Sequence, residues 1–293
     1  MTDTTSLPCD PGTDEPLDDP LDDPLDAPVV TFQGKTPYDE YVHASVLSSL
    51  QQPLTDSPDE MTFLVTTQVM ELWLTLVVHE WKAARDALSK DDHEGAMDAL
   101  RRSISAHRAL NDSFGPIARM TPAQFNSFRE AFGEASGFQS AQYRHMEFLL
   151  GDKSRSLMNP QRADPRAYAA LEELLYEPSL YDAALAYLHR RGLPVPERVL
   201  ERDLTVAYEA DPDVEEAWRG IYAGPQNDPL LALGEALTDV AELVLRWRGD
   251  HLLATRRAMG AKSGSGGSSG VAWLEKRNTR AVFPELWTVR GLV

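Results

Sequence analysis

The chain has 293 residues, a formal net charge of −18 and a single cysteine. That surplus of carboxylates argues against a nucleic-acid or anionic-membrane surface, which needs clustered Lys and Arg to displace counterions. One thiol excludes both an intramolecular disulfide and a thiolate metal cluster, and the length suffices for a substantial core without covalent staples.

In chain order, residues 1–34 read as a disordered acidic leader. Asp3, Asp10, Asp14, Glu15, Asp18, Asp19, Asp22, Asp23 and Asp26 meet no basic residue before Lys35. Within it PLDDPLDDPLDA, 16–27, is a four-residue repeat whose prolines remove donors and whose adjacent aspartates repel. Cys9 lies in the same stretch. No basic segment followed by an apolar run opens the chain, and no run of about 18 consecutive apolar residues occurs. The expectation is a cytoplasmic protein that neither is exported nor spans a membrane.

Residues 35–293 are expected to form one all-α domain. From Asp59 the apolar residues Met61, Phe63, Leu64, Met70, Leu72, Trp73, Leu76, Val77 and Trp81 recur at spacings of three and four. They cover more than one face, which predicts a long helix buried between others. Further helical patterns span roughly 93–112, 122–132, 137–150, 165–177, 180–191, 213–222 and 228–258, divided by proline and glycine breaks. No segment shows the period-two alternation of a strand, so a bundle of long antiparallel helices is the predicted architecture.

Among the seven histidines (43, 79, 93, 107, 145, 189 and 251) there is no His-x-x-x-His pair, and His79-Glu80 lacks the second histidine of a zincin; a non-heme site from distant positions stays open. No nucleophile elbow stands between a strand and a helix. The stretch GAKSGSGGSSG, 260–270, is not a P-loop, because Lys262 precedes the glycines and a helix precedes the lysine. It reads either as a linker or, better, as a glycine-rich lid that approaches a ligand closely. His251 shares a helical stripe with Trp247, Ala254 and Ala258. An imidazole there is either a satisfied core residue or the one soft donor that a porphyrin iron needs on an apolar wall.

Three stretches carry a resemblance: DEMTFLVTTQVMELW (59–73), ASGFQSAQYRHMEFLLGDK (135–153), and HLLATRRAMGAKSGSGGSSGVAWL (251–274) with FPELW after it. Together with YDEYVHASVLSSLQQPL (38–54), they resemble the tryptophan 2,3-dioxygenase family from about residue 36 onward. The resemblance implies an all-α homotetramer around a b-type heme, with O2 as co-substrate and a tryptophan-type amino acid as substrate. It implies that His251 ligates the heme iron, that Arg144 pairs with the substrate carboxylate and that Ser265 holds its polar end within the lid. Phe63 would wall the indole, and Tyr38 and Tyr41 would reach a neighbouring subunit's site.

One position departs from the family motif. Where the pattern reads Phe-x-x-x-His, this chain has Thr67, which cannot titrate near neutral pH. From Thr67 as a catalytic-site residue, the expected outcome leans to insertion of one oxygen atom, giving a 2-oxindole of tryptophan or a β-methyl analogue, with an external reductant. The alternatives are dioxygenation to N-formylkynurenine, and a non-catalytic heme-binding or scaffold protein.

Overall fold

The computed structural model of the protein describes residues 31–293, so the acidic leader through residue 30, with Cys9, lies outside the described residues. The chain separates into two compact units, one ending at Leu50 and the other spanning Gln51–Val293. In the first, Thr36 caps α1 (Pro37–Val42) by accepting from the Asp39 N–H at 3.1 Å. His43 turns the chain at φ 55° into α2 (Ala44–Leu47). Asp39 fixes that turn by accepting from the Ser45 N–H at 2.6 Å and the Ser45 hydroxyl at 2.7 Å. Tyr38 and Tyr41 are exposed.

The second unit holds α3 (Pro58–Ser89), α4 (His93–Asp112), α5 (Pro122–Arg129), α6 (Ala141–Leu149), α7 (Pro165–Tyr176), α8 (Leu180–Arg190), α9 (Glu197–Leu200), α10 (Pro212–Tyr222), α11 (Pro229–Met259), α12 (Val271–Asn278) and α13 (Pro284–Thr288). There is no strand among the described residues. The starts follow from local chemistry. Thr121, Asp164, Asp211 and Asp228 each accept a backbone N–H at a helix entrance, and each precedes a proline whose missing donor costs nothing there. Asp91, at φ 60°, closes the turn between α3 and α4, and the two helices pack together along their lengths.

α3 is the central element, packing on α4, α5, α6 and α8, while α4 also packs on α11. Met70, Leu74, Val77, Trp81, Ala84 and Leu88 form its buried stripe. The Trp81 indole N–H donates to the Ser103 hydroxyl at 3.0 Å, and that hydroxyl donates to the Leu100 carbonyl. The opposite stripe, Met61, Val65, Leu72 and Leu76, is exposed. The helix is therefore apolar on several faces, as its spacing indicates, but only one of them is enclosed. By length and composition α3 is apolar enough to cross a membrane. It nevertheless buries Glu80, whose carboxylate accepts from Arg102 at 2.8 and 2.9 Å.

The C-terminal segment is tied down by one buried carboxylate. Glu285 accepts from the Tyr181 hydroxyl, the Tyr208 hydroxyl and the Asp211 N–H at 2.7–2.8 Å, joining α13 to α8 and to the entrance of α10. Lys153 is buried at the end of α7, its ammonium donating to the carbonyls of Leu174, Leu175 and Glu177 that the helix leaves unpaired.

His107 is 1% exposed, lies 5.7 Å from the Trp81 ring, and has no partner for either nitrogen. Burial pushes its pKa down from 6.5 to about 4. Below the unfolded value the unfolded chain binds a proton that the folded chain refuses. Stability is therefore lost as pH falls from 6.5 toward 4. Replacing His107 by leucine is expected to reduce the drop in the urea midpoint between about pH 7.5 and about pH 5. An undiminished drop would contradict this origin of the acid sensitivity.

Candidate active site

The site grows from the last three turns of α11. Val244 and Trp247 are buried, His251 and Ala254 are partly so, and Ala258 closes the stripe. The His251 ring lies between Phe114, stacked at 5.9 Å, and Trp247, tilted at 5.3 Å. No hydrogen bond engages its ring nitrogens among the described residues. Its surface is partly open while protein surrounds it closely enough for desolvation to push its pKa down to about 4. At neutral pH it is an uncharged nitrogen donor without an internal partner.

The far end of the stripe meets a separate apolar cluster. Ala258 packs with Met120, Phe125 and Phe128, and with the partly buried Phe63, Phe132 and Met259. Phe63 stacks on Phe132 at 5.1 Å and lies 5.6 Å from Phe128 and 5.9 Å from Phe125, so α3 and α5 together build an aromatic box. Thr67, one turn beyond Phe63, donates its hydroxyl to the Phe63 carbonyl at 3.0 Å and the Leu64 carbonyl at 2.9 Å. Its proton is thus committed to the helix backbone, and the side chain serves as wall rather than as acid or base.

The 260–270 segment folds over α5. Arg129 donates to the Ser263 carbonyl, Lys262 donates to Asn126 at 3.0 Å, and the Ser265 hydroxyl donates to the Ala135 carbonyl at 2.6 Å. Glycine is required where the loop closes on itself: Gly270 has φ 63°, and a Cβ there would lie 2.5 Å from the Lys262 carbonyl. At Gly266 a Cβ would come 2.9 Å from that of Ser136. These contacts hold the loop against the body of the second unit, unlike a free linker.

Arg144, which the resemblance gives to the substrate carboxylate, is buried on α6. It is 1% exposed, its guanidinium is paired with the buried Glu147, and it lies 5.3 Å from the Phe138 ring centre. Burial pulls its pKa down to about 10, so it stays charged with its counter-ion beside it. Arg129 ends α5 one residue after Phe128, is partly exposed, and touches the loop that carries Ser265. The sequence signal was Phe125-x-x-Phe128-Arg129, which places an arginine next to two rings on one helical turn.

A heme can be tested against these side chains. Among the described residues no three histidine, cysteine or carboxylate groups converge on a point. A metal held by His251 would bring most of its ligands with it, as porphyrin iron does. The Trp247 indole N–H is buried without a partner, and Tyr143 stacks on that indole at 4.8 Å with Arg144 next in the chain. An unpartnered donor and a nearby cation on one side, a neutral imidazole, and small residues Ala254 and Ala258 fit an anionic-edged planar ring. The recess between α4 and α11, lined by Arg108, Asn111, Asp112, Arg246, Asp250 and Leu253, is a different place and does not include His251.

The family model described as tryptophan 2,3-dioxygenase matches residues 23–221 and 220–293. The chain is 36% identical to a tryptophan 2,3-dioxygenase of Bradyrhizobium diazoefficiens over 89% of its own length and 94% of that protein's. It is 39% identical to one of Exiguobacterium sibiricum, over 88% and 93%. A relative from Arthrobacter with the same name is 38% identical over 88% and 92%.

Proposed function

The chain belongs to the tryptophan 2,3-dioxygenase family, and from that premise we propose that it is a heme-dependent oxygenase that opens the indole ring of L-tryptophan to N-formylkynurenine with both atoms of O2. The observation that carries this reading is the unpartnered, neutral His251 on the stripe of α11 whose Ala258 packs into the Phe63 cluster. The 2-oxindole outcome expected from Thr67 is set aside. The relatives matched along most of the chain carry the dioxygenase name, and the Thr67 hydroxyl, tied to two carbonyls, removes an imidazole without supplying another reactive group.

Bound at His251, heme supplies oxygen binding and the redox chemistry. The chain's own residues do the positioning. His251 offers a nitrogen that stays unprotonated through neutral pH because desolvation disfavours the imidazolium. With heme held at His251, the unpartnered Trp247 N–H would be the donor nearest the imidazole for the ring's carboxylate edge. Phe63 and its partners take the indole face, where aromatic contacts in offset or tilted geometry are favourable. Arg129 takes the substrate carboxylate with a fork that a lysine lacks, and Ser265 holds the polar end from the loop. The loop excludes water once these contacts form. No side-chain base is drawn from α3, since Thr67 holds its proton on the backbone.

The exposed stripe Met61, Val65, Leu72 and Leu76 on α3 supports assembly into a homotetramer, and the exposed Tyr38 and Tyr41 are free to serve a neighbouring subunit's site. A cytoplasmic setting goes with this reading.

Two measurements follow. Product formed from L-tryptophan under 18O2 is expected to gain two labelled atoms; a gain of one would contradict dioxygenation. Arg129→Ala is expected to raise KM about tenfold or more with heme content unchanged, because a charged hydrogen bond to substrate is lost. Arg144→Ala is expected to lower heme content and stability instead, since it leaves the buried Glu147 with Arg277 as its one remaining counter-ion. The reverse pattern would return the carboxylate to Arg144.

A further inference from the structure

Three guanidiniums converge on one carboxylate behind α11. Asp152 accepts from Arg277 at 2.6 Å and from Arg280, and it stands 3.8 Å from Arg248. Arg277 and Arg144 also share Glu147. Arg248 is the least satisfied member. It is 5% exposed, one of its terminal nitrogens donates to the Arg280 carbonyl at 3.1 Å, and its Nε is buried with no acceptor. A buried charged N–H without a partner is costly enough that an acceptor is expected close by.

Arg248 also lines a recess of about 400 Å3 that shares no residue with the His251 site. Arg280, Asp152 and Glu209 are its other charged lining residues, and Leu150, Tyr208, Val282 and Phe283 line it with apolar surface. Phe283 holds φ 51°, a left-handed backbone conformation that is unfavourable for a bulky residue, while its ring stacks on Tyr181 at 4.8 Å. The recess therefore combines a desolvated, under-served guanidinium with an apolar wall held in a strained shape. These are the elements of a small-molecule site: an apolar cavity with a few convergent polar groups.

We infer that this recess binds a small organic carboxylate, its oxyanion on Arg248 and its apolar body against Val282, Phe283 and Tyr208. A carboxylate can engage a guanidinium that Asp152 meets only at 3.8 Å. The apolar wall favours an acid with a hydrophobic body over inorganic phosphate, which would leave that wall unused. Arg248 lies one turn before His251 on α11, so an occupant bears on the helix that carries the imidazole.

The test is calorimetric titration of the heme-loaded full chain with 4-bromobenzoate, together with a crystal soaked in the same compound to locate bromine by anomalous scattering. Saturable binding is expected, with bromine between Phe283 and Tyr208. Affinity should fall about tenfold or more in Arg248→Lys, which keeps the charge but not the fork. Ala281→Trp, at the exposed rim, is expected to block the recess without disturbing the arginine cluster; it decides the matter if Arg248→Lys does not fold. Bromine found only beside His251, or affinity unchanged in Ala281→Trp, would overturn the assignment. Inorganic phosphate displacing the bromobenzoate and binding more tightly would overturn the ligand class.

Discussion

An imidazole that is desolvated, uncharged and without an internal hydrogen-bond partner is the constraint around which the second unit is arranged. Burying His251 neutral costs stability in mild acid, and no internal contact offsets that cost. A nitrogen kept in such a state is kept available to something outside the chain. The surrounding architecture serves that purpose: α11 is held by α4 along one side and by α5 and α12 toward its end, and the rings of Phe114 and Trp247 fix the plane of the imidazole. His107 shares the same depressed titration but sits within the core against Trp81, where no ligand reaches it. The difference between the two histidines is one of access.

Arginine has a divided role in this protein. Arg144, Arg248 and Arg277 are largely withdrawn from solvent and share Glu147 and Asp152, binding α6, α11 and α12 into one charged layer. Arg129 alone among those considered combines partial exposure, an aromatic neighbourhood and contact with the glycine-rich loop. Buried guanidiniums of this kind are costly to break singly, because each removal leaves a carboxylate uncompensated. An exposed one can exchange a loop carbonyl for a ligand carboxylate at little cost.

Much of this was legible in the sequence, and the residues show why. Helices starting at Asp-Pro and Thr-Pro pairs are marked by local chemistry that tertiary packing reinforces, so the elements from α3 to α11 fall close to their expected bounds, apart from the one-turn α9. The stripe Trp247, His251, Ala254 and Ala258 follows from helical period alone. Short elements such as α9 and α13 were not legible, because one turn carries no periodicity. Burial of Arg144 depends on Glu147 and on packing of α6 against α3, neither visible in a single sequence. Thr67 was read for what it lacks, a titratable proton; its hydroxyl's attachment to the backbone appears only in the folded helix.

The most direct measurement is the visible spectrum and turnover of His251→Gly with and without added imidazole. Loss of the Soret band and of tryptophan turnover, with both restored by imidazole in solution, is the result expected if this nitrogen holds the iron. Normal heme content and unchanged turnover in the glycine variant would contradict it.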